Sequence, residues 1–133
     1  MSVNRLAAIA SSGLISIVVI GGLWLAGSPS EQRLLRLDQQ RTAHLQQLSS
    51  ALTRYWNDHS MLPPQLQQLV DGQNLTAVPV DPVTGSSYDY RRTATATFEL
   101  CGAFDRDSIE ASVNDFWSHQ AGRHCFDFDL DPQ

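Results

Sequence analysis

Residues 31–58 read EQRLLRLDQQRTAHLQQLSSALTRYWND, and this stretch decides how the rest of the chain can fold. Its apolar residues recur at intervals of three and four, with one longer gap across Arg41. They are Leu34, Leu37, Leu45, Leu48, Leu52 and Tyr55. This period predicts an amphipathic helix of about seven turns. We expect its apolar stripe to pack against the chain's own domain, the alternative being a helix that binds a partner.

The stretch before this helix has no charged residue from position 6 to position 27 and reads LAAIASSGLISIVVIGGLWLAG. At about 1.5 Å of rise per residue it is long enough to cross the roughly 30 Å hydrocarbon core of a bilayer. Trp24 lies near its far end, where an indole ring suits the membrane interface. We therefore expect residues 1–5 to form an N-terminal tail and residues 6–27 an uncleaved transmembrane helix. A removed signal peptide is the alternative.

The sequence Ser28-Pro29-Ser30-Glu31 has the features of a helix start. Ser28 can cap the helix, Pro29 fits the first helical position, and Glu31 can complete a capping box. We therefore predict that the anchor ends or bends here and that an amphipathic stalk helix occupies residues 28–58.

Charge divides the chain into three zones. The whole chain has nine basic residues, all Arg, against fourteen acids, for a net charge of −5. Residues 1–30 and 31–58 each carry +1, whereas residues 59–133 carry −7 from four Arg and eleven acids. A nucleic-acid-binding protein needs a basic face to neutralise phosphates, so this acidity argues against a nucleic-acid partner.

In the distal part, residues 59–133, the spacing of apolar residues changes from the helical period of 3.6 to the strand period of 2. Pro63 stops the long helix, and a short helix over residues 65–70 is expected to cover one side of it with Leu66, Leu69 and Val70. Strand-like patterns follow at residues 87–91, 95–104 and 123–130. The predicted fold class is α+β: a long helix packed with a small three-stranded antiparallel sheet as one domain.

Two cysteines fall in the second and third predicted strands. If these strands pair, the sulfurs of Cys101 and Cys125 meet across the sheet. A disulfide closing a loop of about 25 residues would stabilise the head by roughly 3 kcal/mol in the chain-entropy model. Two free thiols in a reducing cytosol and a redox-active pair are the alternatives.

The positive charges that flank the anchor and the two cysteines both bear on the orientation of the chain in the membrane. Arg5 and the α-amino group lie before the anchor, and three Arg follow it, so positive charge alone weakly favours a cytoplasmic head. The cysteine pair and the acidic distal part favour export instead. We predict a single-pass protein of the bacterial cytoplasmic membrane with its N-terminus inside and its head in the periplasm or outside.

Several groups carry chemically active residue types without a matching motif. His119, His124, Cys125 and Asp127 match no familiar zinc spacing. The acids at 127, 129 and 131 alternate with apolar residues, as in a half-exposed strand. The pairs Asp105–Asp107 and Glu110–Asp115 are interpreted as solvated charge, and Asn74 begins a sequon that matters only in a glycosylating pathway. No nucleophile elbow or phosphate loop occurs. We therefore predict no catalytic, cofactor or metal site.

The most specific local pattern is a turn followed by two tyrosines. Proline at the second position and a following glycine favour a compact reversal that leads directly into the first strand. The residues of this turn motif are Asp81, Pro82, Thr84, Gly85, Tyr88 and Tyr90.

With these motifs, the chain resembles the heads of type IV pilin-like proteins and type II secretion pseudopilins. The resemblance rests on Leu62-Pro63-x-x-Leu66-x-x-Leu69 and on Pro79-x-Asp81-Pro82-x-Thr84-Gly85-x-x-Tyr88-x-Tyr90. It is closest to small uncharacterised bacterial membrane-anchored members with a two-Cys head, which share Phe98-Glu99-Leu100-Cys101-x-x-Phe104 and Trp117-x-His119-x-x-Gly122-x-x-Cys125-Phe126. It covers roughly residues 34–128 and implies a long helix followed by a loop and an antiparallel sheet.

We predict a structural or protein-interaction role in the bacterial envelope, with an envelope protein as partner and no enzyme activity, because the anchor holds the head near the bilayer and the acidic head offers a surface. Pilins are processed after a Gly, with a Glu five residues into the mature helix, and neither Gly13-Leu14 nor Gly21-Gly22 has that acid. A pseudopilin-like subunit of a secretion or pilus machine is therefore the alternative. A membrane-anchored thiol oxidoreductase using Cys101 and Cys125 is a second alternative.

Overall fold

The apolar N-terminal stretch is helical in the computed structural model, which describes residues 3–25, 28–72, 75–108 and 116–131. Helix α1 spans Val3–Leu25. Every described side chain from Ser12 to Trp24 is exposed. Among the described residues, one N-terminal helix is long and apolar enough to cross a membrane, judged by length and composition.

Helix α2 spans Pro29–His59 and begins where the capping sequence predicts. The backbone N–H of Glu31 donates to the hydroxyl of Ser28 at 3.3 Å, so one N–H of the first turn is satisfied by the cap. The chain forms two compact units, one that ends at Arg33 and a second that begins at Leu34. The core and the sheet belong to the second unit.

The apolar stripe of α2 supplies one side of the core. Leu45, Leu48 and Leu52 are fully buried, and Leu34, Leu37 and Tyr55 are half-buried. Leu45 packs on the centre of the sheet, where its Cδ1 lies 3.3 Å from the place that a Cβ on Gly102 would occupy. The absence of a side chain at Gly102 therefore lets the helix approach the middle strand closely.

The expected short helix after Pro63 is a single 3₁₀ turn, Leu66–Leu69. Leu66 and Leu69 are buried in the core as predicted. The prediction for Val70 was wrong, because its side chain is 41% exposed. A 3₁₀ helix has three residues per turn, so Leu66 and Leu69 lie above one another and Val70 lies on a different side.

The sheet contains β1 (Asp89–Arg92), β2 (Thr97–Phe104) and β3 (Gly122–Asp129), all antiparallel, in the order β1-β2-β3. The three predicted strands are thus present, with bounds shifted by one or two residues. Ser87 belongs to an isolated bridge with Val80 instead of to β1. The α+β architecture predicted from the sequence is confirmed at this level.

Alternation along β2 gives the sheet two different faces. Phe98, Leu100 and Phe104 belong to the buried core with α2. On the other face, which we call the outer face, charged side chains surround the two cysteines. Its members are Asp89, Arg91, Glu99, Cys101, Arg123, Cys125 and Asp127.

Candidate functional site

The predicted reversal at Asp81 is built by the side chain of that aspartate. Its Oδ1 accepts the backbone N–H groups of Val83 and Thr84, each at 2.9 Å, and its carbonyl accepts the N–H of Gly85 at 2.9 Å. Gly85 has φ of 69°, a conformation that glycine adopts without steric cost. Pro82 is exposed at the tip of the turn. The turn residues therefore shape the backbone and leave Oδ2 of Asp81 available for another contact.

That second oxygen binds Arg41 of α2. Nε of Arg41 donates to Oδ2 of Asp81 at 2.7 Å, and Nη1 donates to Oδ1 of Asp38 at 2.7 Å and to Oδ2 of Asp105 at 2.6 Å. We call these four residues the aspartate–arginine cluster. The side chains of Arg41, Asp38 and Asp81 are 6–11% exposed, so these three lie in the protein interior, whereas the Asp105 side chain is 40% exposed and lies at the edge of the cluster.

Asp38 extends the cluster to the segment that follows β2. Its two carboxylate oxygens accept the backbone N–H groups of Asp105 and Arg106, each at 2.9 Å. One face of α2 thereby holds both the Asp81 turn and the end of β2. The aspartate–arginine cluster therefore joins the long helix to two segments that are distant from it in sequence.

Within the cluster, Arg41 and Asp81 stabilise each other's charged forms. Burial by itself lowers the pKa of Arg41, but hydrogen bonds to the three carboxylates of the cluster raise it above its ordinary value. Burial by itself raises the pKa of Asp81, yet the hydrogen bond from Arg41 and those from two turn N–H groups lower it to about 2. Both groups are therefore fully charged at neutral pH, and neither is suited to act as an acid or base there.

Tyr88 and Tyr90 connect the start of β1 to other parts of the head. The Tyr88 hydroxyl is hydrogen-bonded to Nδ1 of His44 on α2 at 3.0 Å, and the Tyr90 hydroxyl donates to the carbonyl of Pro63 at 2.9 Å. Burial raises the pKa of each hydroxyl to about 12. The two tyrosines remain protonated at neutral pH and serve as hydrogen-bonding anchors.

The structure joins Cys101 and Cys125 in a disulfide between directly opposed residues of β2 and β3, with their Cα atoms 4.0 Å apart. Cys101 is 4% exposed, whereas Cys125 is partly exposed. Nη2 of Arg123 lies 3.3 Å from Sγ of Cys101 and 3.2 Å from Oδ2 of Asp89. Arg91 lies nearby on the same face and binds Glu99 at 2.6 Å.

Residue types that bind metal meet at this disulfide. Glu99, Cys101 and Cys125 are the one such group among the described residues, with ligand atoms within 4.8 Å of one another. Thiolates are the form of cysteine that ligates zinc, and both sulfurs here are joined to each other. The oxidised protein therefore does not present this group as a metal site.

The histidines considered for metal binding have other neighbours. His119 is 8% exposed and stacks on Phe104 with ring centroids 3.7 Å apart, and it lies 6.5 Å from the ring of His124. Burial lowers the pKa of His119, so its ring is neutral at neutral pH. Together with Trp117 and Gln39 it lines a groove of about 250 Å³ beside α2.

The acidic pair Asp105–Asp107 has structural partners. Asp105 binds Arg41, and Oδ1 of Asp107 accepts the backbone N–H of Ala121 at 2.7 Å. The pair Glu110–Asp115 and the sequon residue Asn74 lie outside the described residues. Asp105 and Asp107 therefore fix the segments on either side of them.

Sequence reasoning missed Arg41 and Asp38. Both fall on the apolar stripe of α2, where positions 34, 38, 41, 45, 48 and 52 follow one another at intervals of four and three. The gap in the leucine pattern was thus a signal that two charged residues occupy core-facing positions. A buried charge requires a partner, which directs attention to acids elsewhere in the chain.

Comparison with known proteins leaves the function to be argued from this geometry. No family model, no curated protein and no solved structure matches the chain. The resemblance to pilin-like proteins therefore rests on sequence motifs alone.

Proposed function

We propose that this chain is a non-enzymatic, single-pass protein of the bacterial envelope that presents a pilin-like head outside the cytoplasmic membrane. The observation that carries the proposal is the exposure of α1. The large apolar side chains from Leu14 to Leu23 are 55–70% exposed, and Trp24 is 85% exposed. A contiguous apolar surface of this kind is stable in lipid and unfavourable in water.

The disulfide supports placement of the head in an oxidising compartment. Disulfides persist in the bacterial periplasm and are rare in the cytosol, where thiols are kept reduced. Cys101 and Cys125 are already opposed by the strand register, so oxidation requires no rearrangement of β2 and β3. This supports the orientation with the N-terminus inside.

A structural or protein-interaction role is supported by the way the polar groups are used. Asp38 and Asp81 accept hydrogen bonds on both carboxylate oxygens, and Arg41 binds three carboxylates. Such groups stabilise loops instead of meeting a substrate. The exposed acids of β3, Asp127 and Asp129, offer a charged surface for an envelope protein.

Membrane extraction tests the anchor. We expect the full-length protein to remain in the membrane pellet after an alkaline carbonate wash. An Arg near the centre of a transmembrane helix costs about 2.5–3.5 kcal/mol in insertion, so Val18→Arg should release a large fraction, whereas Val18→Leu should not. Release of the unsubstituted protein by carbonate would contradict the proposal.

The location of the head and its role are tested separately. A reporter that is active only in the periplasm, fused after Gln133, should be active, and an inactive reporter would reverse the orientation. A photo-crosslinking residue at Asp127 should capture an envelope protein more efficiently than the same residue at Gln67, which is exposed on the 3₁₀ helix. Equal yields at both positions would argue against an interaction through β3.

A second candidate is a pseudopilin-like subunit of a secretion or pilus machine. The order of a long helix, a proline-bearing loop and a three-stranded antiparallel sheet favours it. This role requires removal of an N-terminal leader. Mass spectrometry of protein extracted from membranes should find a shortened N-terminus if the candidate is correct, and an intact N-terminus would exclude it.

A further inference from the structure

The two cysteines of the disulfide differ in their exposure to solvent. Cys101 lies in the middle strand and is 4% exposed, whereas Cys125 lies in the edge strand β3 and is partly exposed. Cys125 is therefore the more accessible of the two residues to a thiolate that approaches the folded head. Access is one determinant of which sulfur is attacked in thiol–disulfide exchange.

A cation lies beside the less exposed sulfur, whereas the Glu99 carboxylate lies within 4.8 Å of both sulfurs and does not distinguish them. Nη2 of Arg123 lies 3.3 Å from Sγ of Cys101. A guanidinium at that distance stabilises negative charge on the sulfur, and a thiol of lower pKa is a better leaving group. Cys101 is thus both the shielded sulfur and the one prepared to leave as a thiolate.

We infer that the disulfide is a directional exchange site, opened by a dithiol reductant through attack on Cys125 with Cys101 as the leaving thiolate. In the first step, a reductant thiolate forms a bond to Sγ of Cys125 while the bond between Cys125 and Cys101 breaks, and the electron pair of that bond remains on Cys101. In the second step, the second cysteine of the reductant, as a thiolate, attacks the reductant sulfur that is bonded to Cys125. The bond between that sulfur and Cys125 breaks, and Cys125 leaves as a thiolate. The reductant is oxidised to its disulfide, and the head gains two electrons and, after protonation, two thiols.

This inference goes beyond the proposed function, because it treats the disulfide as a regulated bond between β2 and β3 and not only as a stabilising one. It differs from an oxidoreductase activity, since the head here is the substrate of exchange. It also holds wherever the head is located, and its test is independent of the membrane experiments.

Trapping identifies the sulfur that is attacked. The full-length oxidised protein in detergent is mixed with a small dithiol protein whose second cysteine is changed to Ser, so that the mixed disulfide cannot resolve. After rapid acid quenching and alkylation, peptide mapping should find the reductant on Cys125 and the alkyl group on Cys101 in at least nine of ten adducts. Adducts divided equally, adducts mainly on Cys101, or no adduct with the folded protein would overturn the inference.

The rate of reduction by dithiothreitol tests the role of Arg123. Arg123→Gln should slow exchange about three- to tenfold at neutral pH, because the leaving thiolate loses its cation. Arg123→Lys should restore most of the rate. Arg54→Gln, which removes an exposed Arg of α2 and none from the outer face, is the control and should change the rate less than twofold.

Melting temperatures of the oxidised variants distinguish this effect from loosening of the sheet. If Arg123→Gln leaves the melting temperature unchanged and slows exchange, Arg123 acts on the leaving group. An unchanged rate in Arg123→Gln, or an equal loss in Arg54→Gln, would overturn the assigned role.

Discussion

Arg41 on α2 binds Asp81 at 2.7 Å across forty residues of sequence, and this contact holds the Asp81 turn against the long helix. Since Asp81 organises the turn with one oxygen and binds Arg41 with the other, local turn structure and tertiary packing depend on a single carboxylate. The contact therefore holds against α2 the turn that leads into β1, which begins eight residues later.

Removal of Arg41 should strongly destabilise the head. Arg41→Gln leaves the carboxylates of Asp38 and Asp81 buried without their cation, and breaking a buried ion pair in this way costs about 3–5 kcal/mol. Thermal unfolding of the full-length protein in detergent, followed by near-ultraviolet circular dichroism, measures the loss. Arg54→Gln, at an exposed position of the same helix, is the control and should change stability by less than about 0.5 kcal/mol. Equal effects of the two substitutions would show that the cluster does not stabilise the head.

Acid should weaken the head through Asp81. The pKa of Asp81 is lowered to about 2 in the folded protein, below the ordinary value of 3.8, so unfolding is accompanied by proton uptake between these values. The stabilisation is complete above pH 3.8 and is lost as the pH falls toward 2, and it amounts to about 2 kcal/mol.

The control for this pH dependence is Asp81→Asn, which keeps the shape of the side chain and removes its charge. Asp81→Asn should be less stable at pH 6 and should show a smaller further loss between pH 4 and pH 2 than the unsubstituted protein. Asp127→Asn, on the exposed outer face, should leave the acid transition unchanged. The prediction is wrong if Asp81→Asn and the unsubstituted protein lose the same stability over this interval.

Local pattern was sufficient to predict much of the architecture. The cap at Ser28 and the leucine period predict the start and the packing face of α2, and alternation predicts the three strands. These features depend on neighbouring residues, so a single sequence contains them. The length of the turn after Pro63 was misjudged because an α-helical and a 3₁₀ turn bury the same two leucines and differ only at Val70.

The aspartate–arginine cluster was not predicted, for a different reason. Asp81 and Asp105 lie 40 and 64 positions beyond Arg41, and no local pattern specifies which of the chain's acids reaches a given arginine. The positions of Asp38 and Arg41 in the apolar stripe indicate only that they face the core. The identity of their partners depends on how the loops return to the helix, which is decided by tertiary packing.

Loss of the disulfide should lower the stability of the head by about 3 kcal/mol in the chain-entropy model. The cysteines are 24 positions apart, so the bond restricts a substantial loop of the unfolded chain. For a domain of this size, such a loss lowers the melting temperature by more than about 10 °C. The double substitution of Cys101 and Cys125 by Ala should melt lower than the oxidised protein and be insensitive to reductant. A melting temperature that is the same with and without reductant in the unsubstituted protein would contradict this.

The backbone of the Asp81 turn provides a test that removes no contact. Gly85 has φ of 69°, and a Cβ added there would meet no atom within 4 Å, so a substitution affects only the backbone conformation. A non-glycine residue in this left-handed region costs about 1–2 kcal/mol, and Asn tolerates it better than Ala. Gly85→Ala should therefore destabilise the head by about 1 kcal/mol or more, and Gly85→Asn by distinctly less.

Combining Gly85→Ala with Arg41→Gln shows whether the conformation of the turn depends on its contact with α2. If Arg41 holds the turn in its native shape, Gly85→Ala should cost less in the Arg41→Gln background than alone, because the turn is already released. A double-mutant cycle in the full-length protein, measured by thermal unfolding, gives the coupling energy, which we expect to exceed about 0.5 kcal/mol. Strictly additive losses would show that the turn forms independently of α2 and that the contact between Arg41 and Asp81 does not transmit its conformation.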